Sequence, residues 1–306
     1  MNMIQAKRRL VLVMLIAALL FTAVSSLAEP AISDPREGLY EWSVAIQPLF
    51  DAKTVMRNFF GDAESTLRLV EPDAGEGVQY SSPDYKATFT WIARKGFFRM
   101  DKPGNIPRDY FNEDDSLSSR KSPRPSETPG KYLPEEAAEE GLRFLRDALG
   151  MDTSALYPKE INALEHGKER ARIYSIQYAY QIGGREVIAW PTSFGIQMLV
   201  SDDGVEMISS GKAVVFSQGA AIPPDHVKTE EDILDSLKRK NQYREGMKFT
   251  LSYQTILGRD GSFCVIPSWI EVAEHDNVLA LNALTEEMVD MWVTDELLPE
   301  AEGGWQ

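Results

Sequence analysis

Cysteine occurs once in 306 residues, at Cys264, so no disulfide can form within the chain and its core alone must hold it. Histidine is nearly as scarce. His166, His226 and His275 stand far apart, and no HExxH or H-x-E spacing gathers metal ligands. No G-x-S-x-G turn offers an elbow for a serine nucleophile. No G-x-G-x-x-G or Walker-type loop presents backbone N–H groups to a phosphate. Basic residues are in deficit: 32 Lys and Arg against 47 Asp and Glu give a net charge of −15. Such a surface repels phosphate backbones, which argues against nucleic acid as a partner.

Only one long apolar run is present. It follows Lys7, Arg8 and Arg9, extends from Leu10 to Val24, and ends at Ser26-Leu27-Ala28. A basic start, an apolar centre and small residues at the end predict a signal peptide over residues 1–28, cleaved after Ala28. The alternative is an uncleaved N-terminal anchor, because the run is nearly long enough to span a bilayer. Either way the chain is expected outside the cytoplasm, secreted or held at the cell surface. A retained leader would be its one membrane contact.

Apolar content of 43% and charged content of 26% suit a globular protein of about two domains. "PLFDAKTVMRNFFG" predicts a helix, with Pro48 in the first turn and Leu49, Ala52, Met56 and Phe59 on one face. In "KATFTWIARKGFFRM", Ala87, Phe89 and Trp91 alternate with threonines, as in a half-buried strand. The Pro/Ser/charge-rich run after Lys102 has no periodicity and reads as a linker. A second helix runs from Pro134 to a cap at Gly150, with Ala138, Leu142, Leu145 and Leu149 as its buried stripe. "RARIYSIQYAYQIGG" then places Tyr174, Ile176, Tyr178, Tyr180 and Ile182 on one face of a strand that turns at Gly183-Gly184.

The pattern repeats. Thr229 caps a third helix bearing Ile233, Leu234 and Leu237, and "KFTLSYQTIL" and "SFCVIPSWIEV" form a hairpin. "VLALNALTEEMVDMW" reads as strand, turn and strand, with a helix from Thr285 as the competing reading. The fold class is therefore α+β, built of repeated modules that each pack a helix on an antiparallel meander sheet. The expected divisions are an N-terminal module over 29–102, a linker over 103–133, modules over 134–223 and 224–296, and a tail over 297–306.

One stretch bears directly on chemistry. In "IQMLVSDDGVEMIS", Asp202-Asp203-Gly204 could begin a calcium loop or form a hairpin tip. A calcium loop needs oxygen ligands spread over about a dozen residues, usually closed by a bidentate Glu. Here Val205, Met207 and Ile208 follow instead, and Ile196, Met198 and Val200 alternate up to the turn. Asp-Gly supplies the positive φ that a tight turn requires, so the stretch is a hairpin.

That hairpin, preceded by a helix and a long alternating strand, resembles PepSY-type domains. It is also similar to the tandem PepSY-like and cystatin-like modules of the extracytoplasmic regulators YycH and YycI. "IQMLVSDDGVEMI" matches their terminal hairpin, "VLALNALTEEMVDM" has Glu286 or Glu287 where Gly is usual, and "FCVIPSWIEV" resembles their Pro-x-Trp strand. The resemblance implies a non-enzymatic exported protein that binds or regulates a protein of the bacterial cell envelope, such as a sensor or a protease.

The remaining candidates for chemistry are few. Cys264, among Phe263, Val265 and Ile266, is expected to be an inert thiol. The pairs Glu135-Glu136, Glu139-Glu140, Glu230-Glu231 and Glu286-Glu287 are expected to be solvated faces. They are also the basis of the alternative reading as a secreted hydrolase with paired carboxylates. A purely structural surface protein is the third reading. No catalytic residue, cofactor or metal is assigned. Trp190, Phe194 and Trp269, beside Pro191 and Pro267, are the expected partner-binding residues, because proline in a strand favours a sheet edge where extended partners dock. Ala28 makes one expectation directly testable: intact-mass measurement of protein recovered outside the cell should give a chain beginning at Glu29, and a retained Met1 would establish the anchor instead.

Overall fold

A computed structural model describes residues 34–70, 77–83, 87–92, 97–102, 129–164, 171–189, 195–210, 213–257, 263–272 and 279–289. The leader with Ala28, most of the expected linker, and Trp190 and Phe194 lie outside the described residues. Residues 34–37 belong to one unit and the described residues from Gly38 onward to a second. In the first, Arg36 closes on Asp34 at 2.7 Å. Hydrogen bonds from Arg36 hold the half-buried Asp34 carboxyl down at about 2.

The second unit is rich in strands and has few helices, an α+β architecture. Its strands are β1 (Tyr40–Ile46), β2 (Arg68–Val70), β3 (Val78–Ser81), β4 (Thr88–Ile92), β5 (Phe97–Asp101), β6 (Leu156–Ala163), β7 (Ile173–Ile182), β8 (Arg185–Ala189), β9 (Gly195–Ser201), β10 (Gly204–Ser210), β11 (Val214–Ala221), β12 (Phe249–Leu257), β13 (Phe263–Glu271) and β14 (Ala280–Asn282). The helices are α1 (Ala52–Phe60), α2 (Pro134–Leu149) and α3 (Glu230–Arg239).

All the strands belong to one sheet, ordered β11-β1-β13-β12-β8-β7-β9-β10-β5-β4-β3-β2, with β6 beside β7 and β14 beside β13. Its pairings are antiparallel except β8 with β12. Strands from all three expected modules therefore share one ladder. β5 pairs with β10 across the stretch expected to be a linker, and β1 lies between β11 and β13.

Local sequence explains the helices. α1 begins at Ala52 and not at Pro48, because the Asp51 carboxylate accepts from the N–H groups of Lys53 and Thr54 at 3.1 Å. α2 starts at Pro134 as expected and stops at Gly150, which has φ 72° and carries the ring of Phe50 against it. In α3, Thr229 and Asp232 cap each other's N–H groups as a capping box.

The expected alternation in β7 is present. Tyr174, Ile176, Tyr178, Tyr180 and Ile182 are buried, whereas Gln177 and Gln181 are exposed. Tyr178 meets α2 at Gly141, where an added Cβ would lie 2.2 Å from the phenol oxygen. Glycine inside a helix costs about 1 kcal/mol against alanine, and here it admits a hydroxyl that donates to Ala138 O at 2.7 Å.

Five strands escape the pattern reading, the short β2 and β3 among them. β1 and β11 begin and end in loops that sequence periodicity does not mark, and β6 contains Pro158. At the C-terminal end, Ala280–Asn282 is a strand that turns and bridges back from Leu281 to Met288, as the strand reading expected. Pro267 corrects another expectation. It lies in the interior strand β13, where β1 pairs at Cys264 and Val265 and β14 takes over at Ser268. Its carbonyl faces Ala283 N at 2.9 Å, so its missing N–H falls in the gap between those two neighbours and costs no ladder bond.

The β5–β10 pairing yields a prediction. Trypsin is expected to cut at Arg120, Lys121 or Arg124, yet four residue pairs of that ladder join the fragments. Nicked protein should elute in size-exclusion chromatography at the volume of intact chain and separate only in denaturant. Early dissociation of two folded pieces would contradict this pairing.

Candidate functional site

The Asp202-Asp203 turn lies at one end of the sheet, where several charged groups converge. β9 and β10 pair from Ser201–Gly204 outward, so the stretch is a two-residue hairpin. Of its tip residues only Gly204 has positive φ, at 110°, so the turn is not the doubly positive type usual for Asp-Gly. Asp202 is committed to the protein itself. Its carboxylate accepts from Lys131 N at 2.6 Å and Arg172 Nε at 3.3 Å.

Beyond the turn the ladder slips between Val205 and Met207, leaving Glu206 as a bulge residue. Bulges re-aim side chains, and this one turns a carboxylate into the protein at 5% exposure. Ser201 Oγ donates to Glu206 Oε1 at 2.7 Å and itself accepts from Asp203 N at 3.1 Å. Lys102 is the cation whose charge Glu206 influences. Its main-chain N–H donates to the main-chain Glu206 O at 2.9 Å, and its ammonium lies 4.9 Å from the Phe59 ring centre. Burial pulls the Lys102 pKa below the ordinary lysine value, while Glu206 and Asp203 oppose that shift. Lys102 and Lys131, on either side of residues 103–130, are thus both fastened to this hairpin.

Lys131 also opens a groove along α2. It has a volume of about 680 Å³ and is lined by Lys131, Tyr132, Glu136, Glu140, Arg143 and Arg146, among others. A second hollow of about 300 Å³ shares Glu140 and Arg143 and reaches Phe144 and Asn58. Asn58 Nδ2 donates to Ala148 O at 2.8 Å, and Phe144 meets Phe59 edge-on at 5.8 Å, so α1 forms one wall. Two of the glutamates already have partners. Glu136 accepts from Leu133 N at 2.8 Å, and Glu140 is paired with Arg143. The groove is wide, open and charged with both signs. Small-molecule pockets, by contrast, enclose most of their ligand behind apolar walls.

The expected site residues fare differently. Trp269 is not presented at the surface: it is 3% exposed, and its indole N–H donates to Lys228 O at 2.8 Å. It is buried because the Pro-x-Trp strand is interior, with Leu251 of β12 and Leu281 of β14 opposite the tryptophan. Cys264 is half-buried beside Ile256, Ile266 and Val289. The acidic run of α2 was read as a solvated face, and no sequence signal marked it as a groove wall. The wall arises only when Lys131 and α1 are brought beside the helix.

The Lys102–Glu206 contact makes a second prediction. Lys102→Met and Glu206→Gln should each lower stability by about 1–3 kcal/mol, since each leaves a partly desolvated charge without its counterpart. The double variant should lose less than the sum by about 1 kcal/mol. Urea unfolding of the four proteins measures this, and strict additivity would show that the two charges do not interact.

No known protein family matches the chain. No curated protein matches it either. Among solved structures it is similar to an uncharacterized protein from Eubacterium rectale ATCC 33656, at 10% identity and a TM-score of 0.45 over 82% of this chain and 86% of that one. It is also similar to the Bacillus megaterium YpeB C-terminal domain, at 12% identity and a TM-score of 0.37 over 78% of this chain and 93% of that one. At these identities and scores, neither likeness decides what the chain does.

Proposed function

We propose that this chain is an exported, non-enzymatic binding or regulatory protein of the bacterial cell envelope, of the PepSY and YycH–YycI type that its hairpins resemble. Its partner is another envelope protein, a sensor or a protease, which docks along α2. One observation carries the reading: the open groove is lined by charges of both signs and rimmed by the aromatic rings of Tyr132 and Phe144. Protein surfaces recognise one another through aromatic and arginine contacts with complementary charges around them. The rival hydrolase would need two of Glu136, Glu139 and Glu140 to act as an acid and base pair. The capping bond to Glu136 and the ion pair to Glu140 tie two of these to structural tasks.

A photo-crosslinking amino acid at the exposed position 139 tests this in envelope extract. The expected result is one discrete adduct, weakened about tenfold or more by Arg143→Glu with Arg146→Glu. Charge reversal at Glu160, which does not line the groove, should leave it intact. An adduct indifferent to the arginine changes would place the contact elsewhere, and no adduct at all would favour a structural surface protein. Glycan hydrolysis lost on Glu139→Gln would establish the enzyme instead.

A further inference from the structure

Glu286 takes the backbone conformation of a glycine. Its φ is 62°, in the left-handed region that costs an ordinary L residue about 1–2 kcal/mol. This is the turn where glycine is usual in the hairpins that the chain resembles. The strain is matched by an unusual concentration of cations. Lys228 Nζ lies 3.2 Å from Glu286 Oε1, and Arg239 Nη2 lies 2.9 Å from Oε2. Lys240 Nζ reaches the Glu286 carbonyl at 3.3 Å and the neighbouring Glu287 carboxylate at 3.4 Å. Lys228 lies just before α3, Arg239 is its last residue and Lys240 follows it as the C-cap. The turn after β14 is therefore fastened to the helix by charge.

The same contacts close over Trp269. Lys228 accepts the indole N–H on its carbonyl, donates its own N–H to Ala283 O at 2.8 Å, and directs its ammonium to Glu286. Leu281 pairs directly with Trp269 across the ladder, and Ile233 and Leu237 of α3 are buried in the same core. The apolar contacts hold α3 in place, whereas the link from helix to turn is ionic. The Glu286 side chain is 20% exposed, and Lys228 and Arg239 are 40% and 70% exposed, so solvent ions reach it.

We infer that Glu286 is an electrostatic latch that holds the strained 283–287 turn against α3 and keeps Trp269 covered, and that raised ionic strength releases it. A released turn relaxes its left-handed residue and frees Lys228, the one residue that bonds the indole nitrogen. The latch deepens the protein-binding reading by supplying a covered aromatic that ionic conditions can expose. Its test needs no partner, so its failure and the failure of that reading are separately visible.

Hydrogen exchange on the full chain decides the matter. The reporters are the amides of Ala283 and Val289, bonded to Pro267 O and Ala280 O, and of Lys228. In the parent protein, moving from low salt to about 1 M salt should speed their exchange about fivefold, because ion pairs of this exposure are screened there. Glu286→Gln at low salt should exchange as fast as the parent does at high salt and lose its salt response. Glu286→Gly, which removes both the charge and the strain, should also lose the salt response while keeping slow exchange. Amides of β7 serve as the internal reference and should not change. Exchange indifferent to salt in the parent would overturn the latch. So would a Glu286→Gln protein in which the β7 amides accelerate equally, since the residue would then stabilise the whole fold.

Discussion

Buried tyrosine hydroxyls that bond to the backbone of other elements are the interaction on which this fold turns. A phenol carries a large apolar body into the core but must find a partner for its O–H there. β7 contributes three of them. Tyr174 donates to Tyr132 O, just ahead of α2, at 3.0 Å, and Tyr178 donates to Ala138 O within it. Tyr180 accepts from Val214 N at the start of β11 at 3.2 Å. A fourth, Tyr253 of β12, both accepts from Tyr40 N and donates to Tyr40 O, pinning the first strand. Burial raises the pKa values of Tyr178 and Tyr180, so both hydroxyls stay protonated and neutral in the core. Each bond fixes where a distant segment meets the sheet, so β7 sets the position of α2, β11 and indirectly β1.

A sheet this wide exposes edges, and its edges are blunted. β6 carries Pro158 with an irregularity at Lys159. β11 has two residues, Gly219 and Ala220, opposite the single Glu41 of β1, so its ladder kinks before it ends. β2 is three residues long. These devices discourage another chain from adding a strand. The proposed recognition along α2 does not draw on these edges.

Two turns of the structure handle charge differently. At the β9–β10 turn a bulge drives Glu206 inward, where Ser201 bonds its carboxylate and the partly buried Lys102 supplies a neighbouring positive charge. At the β14 turn, Glu286 and its cations stay near water. In low dielectric a missing partner is costly, whereas near water the same pairing is weak and screened. The first arrangement suits fastening the segments on either side of residues 103–130. The second suits a contact that can open.

Much of the local structure was legible in the sequence because its causes are local. Pro134 and Gly150 bounded α2, Thr229 capped α3, the 174–182 alternation gave the buried face of β7, and Asp202-Asp203-Gly204 gave a turn and not a calcium loop. The turn near Glu286 was also readable, since its backbone conformation survived the loss of glycine. What required the tertiary structure was every fact that depends on distant partners. Pro267 looked like an edge residue, but a gap between β1 and β14 accommodates its missing N–H inside the sheet. Trp269 looked available, but it is buried in the interior strand β13 and its indole N–H is bonded to Lys228 O. The expected modules share one sheet because β1, β5 and β8 pair with strands far along the chain. Periodicity reports which face of a strand is apolar, but hydrogen bonding between strands is the same for any register and any neighbour. Only the simultaneous burial of all those faces selects the partners, and that choice is made in three dimensions.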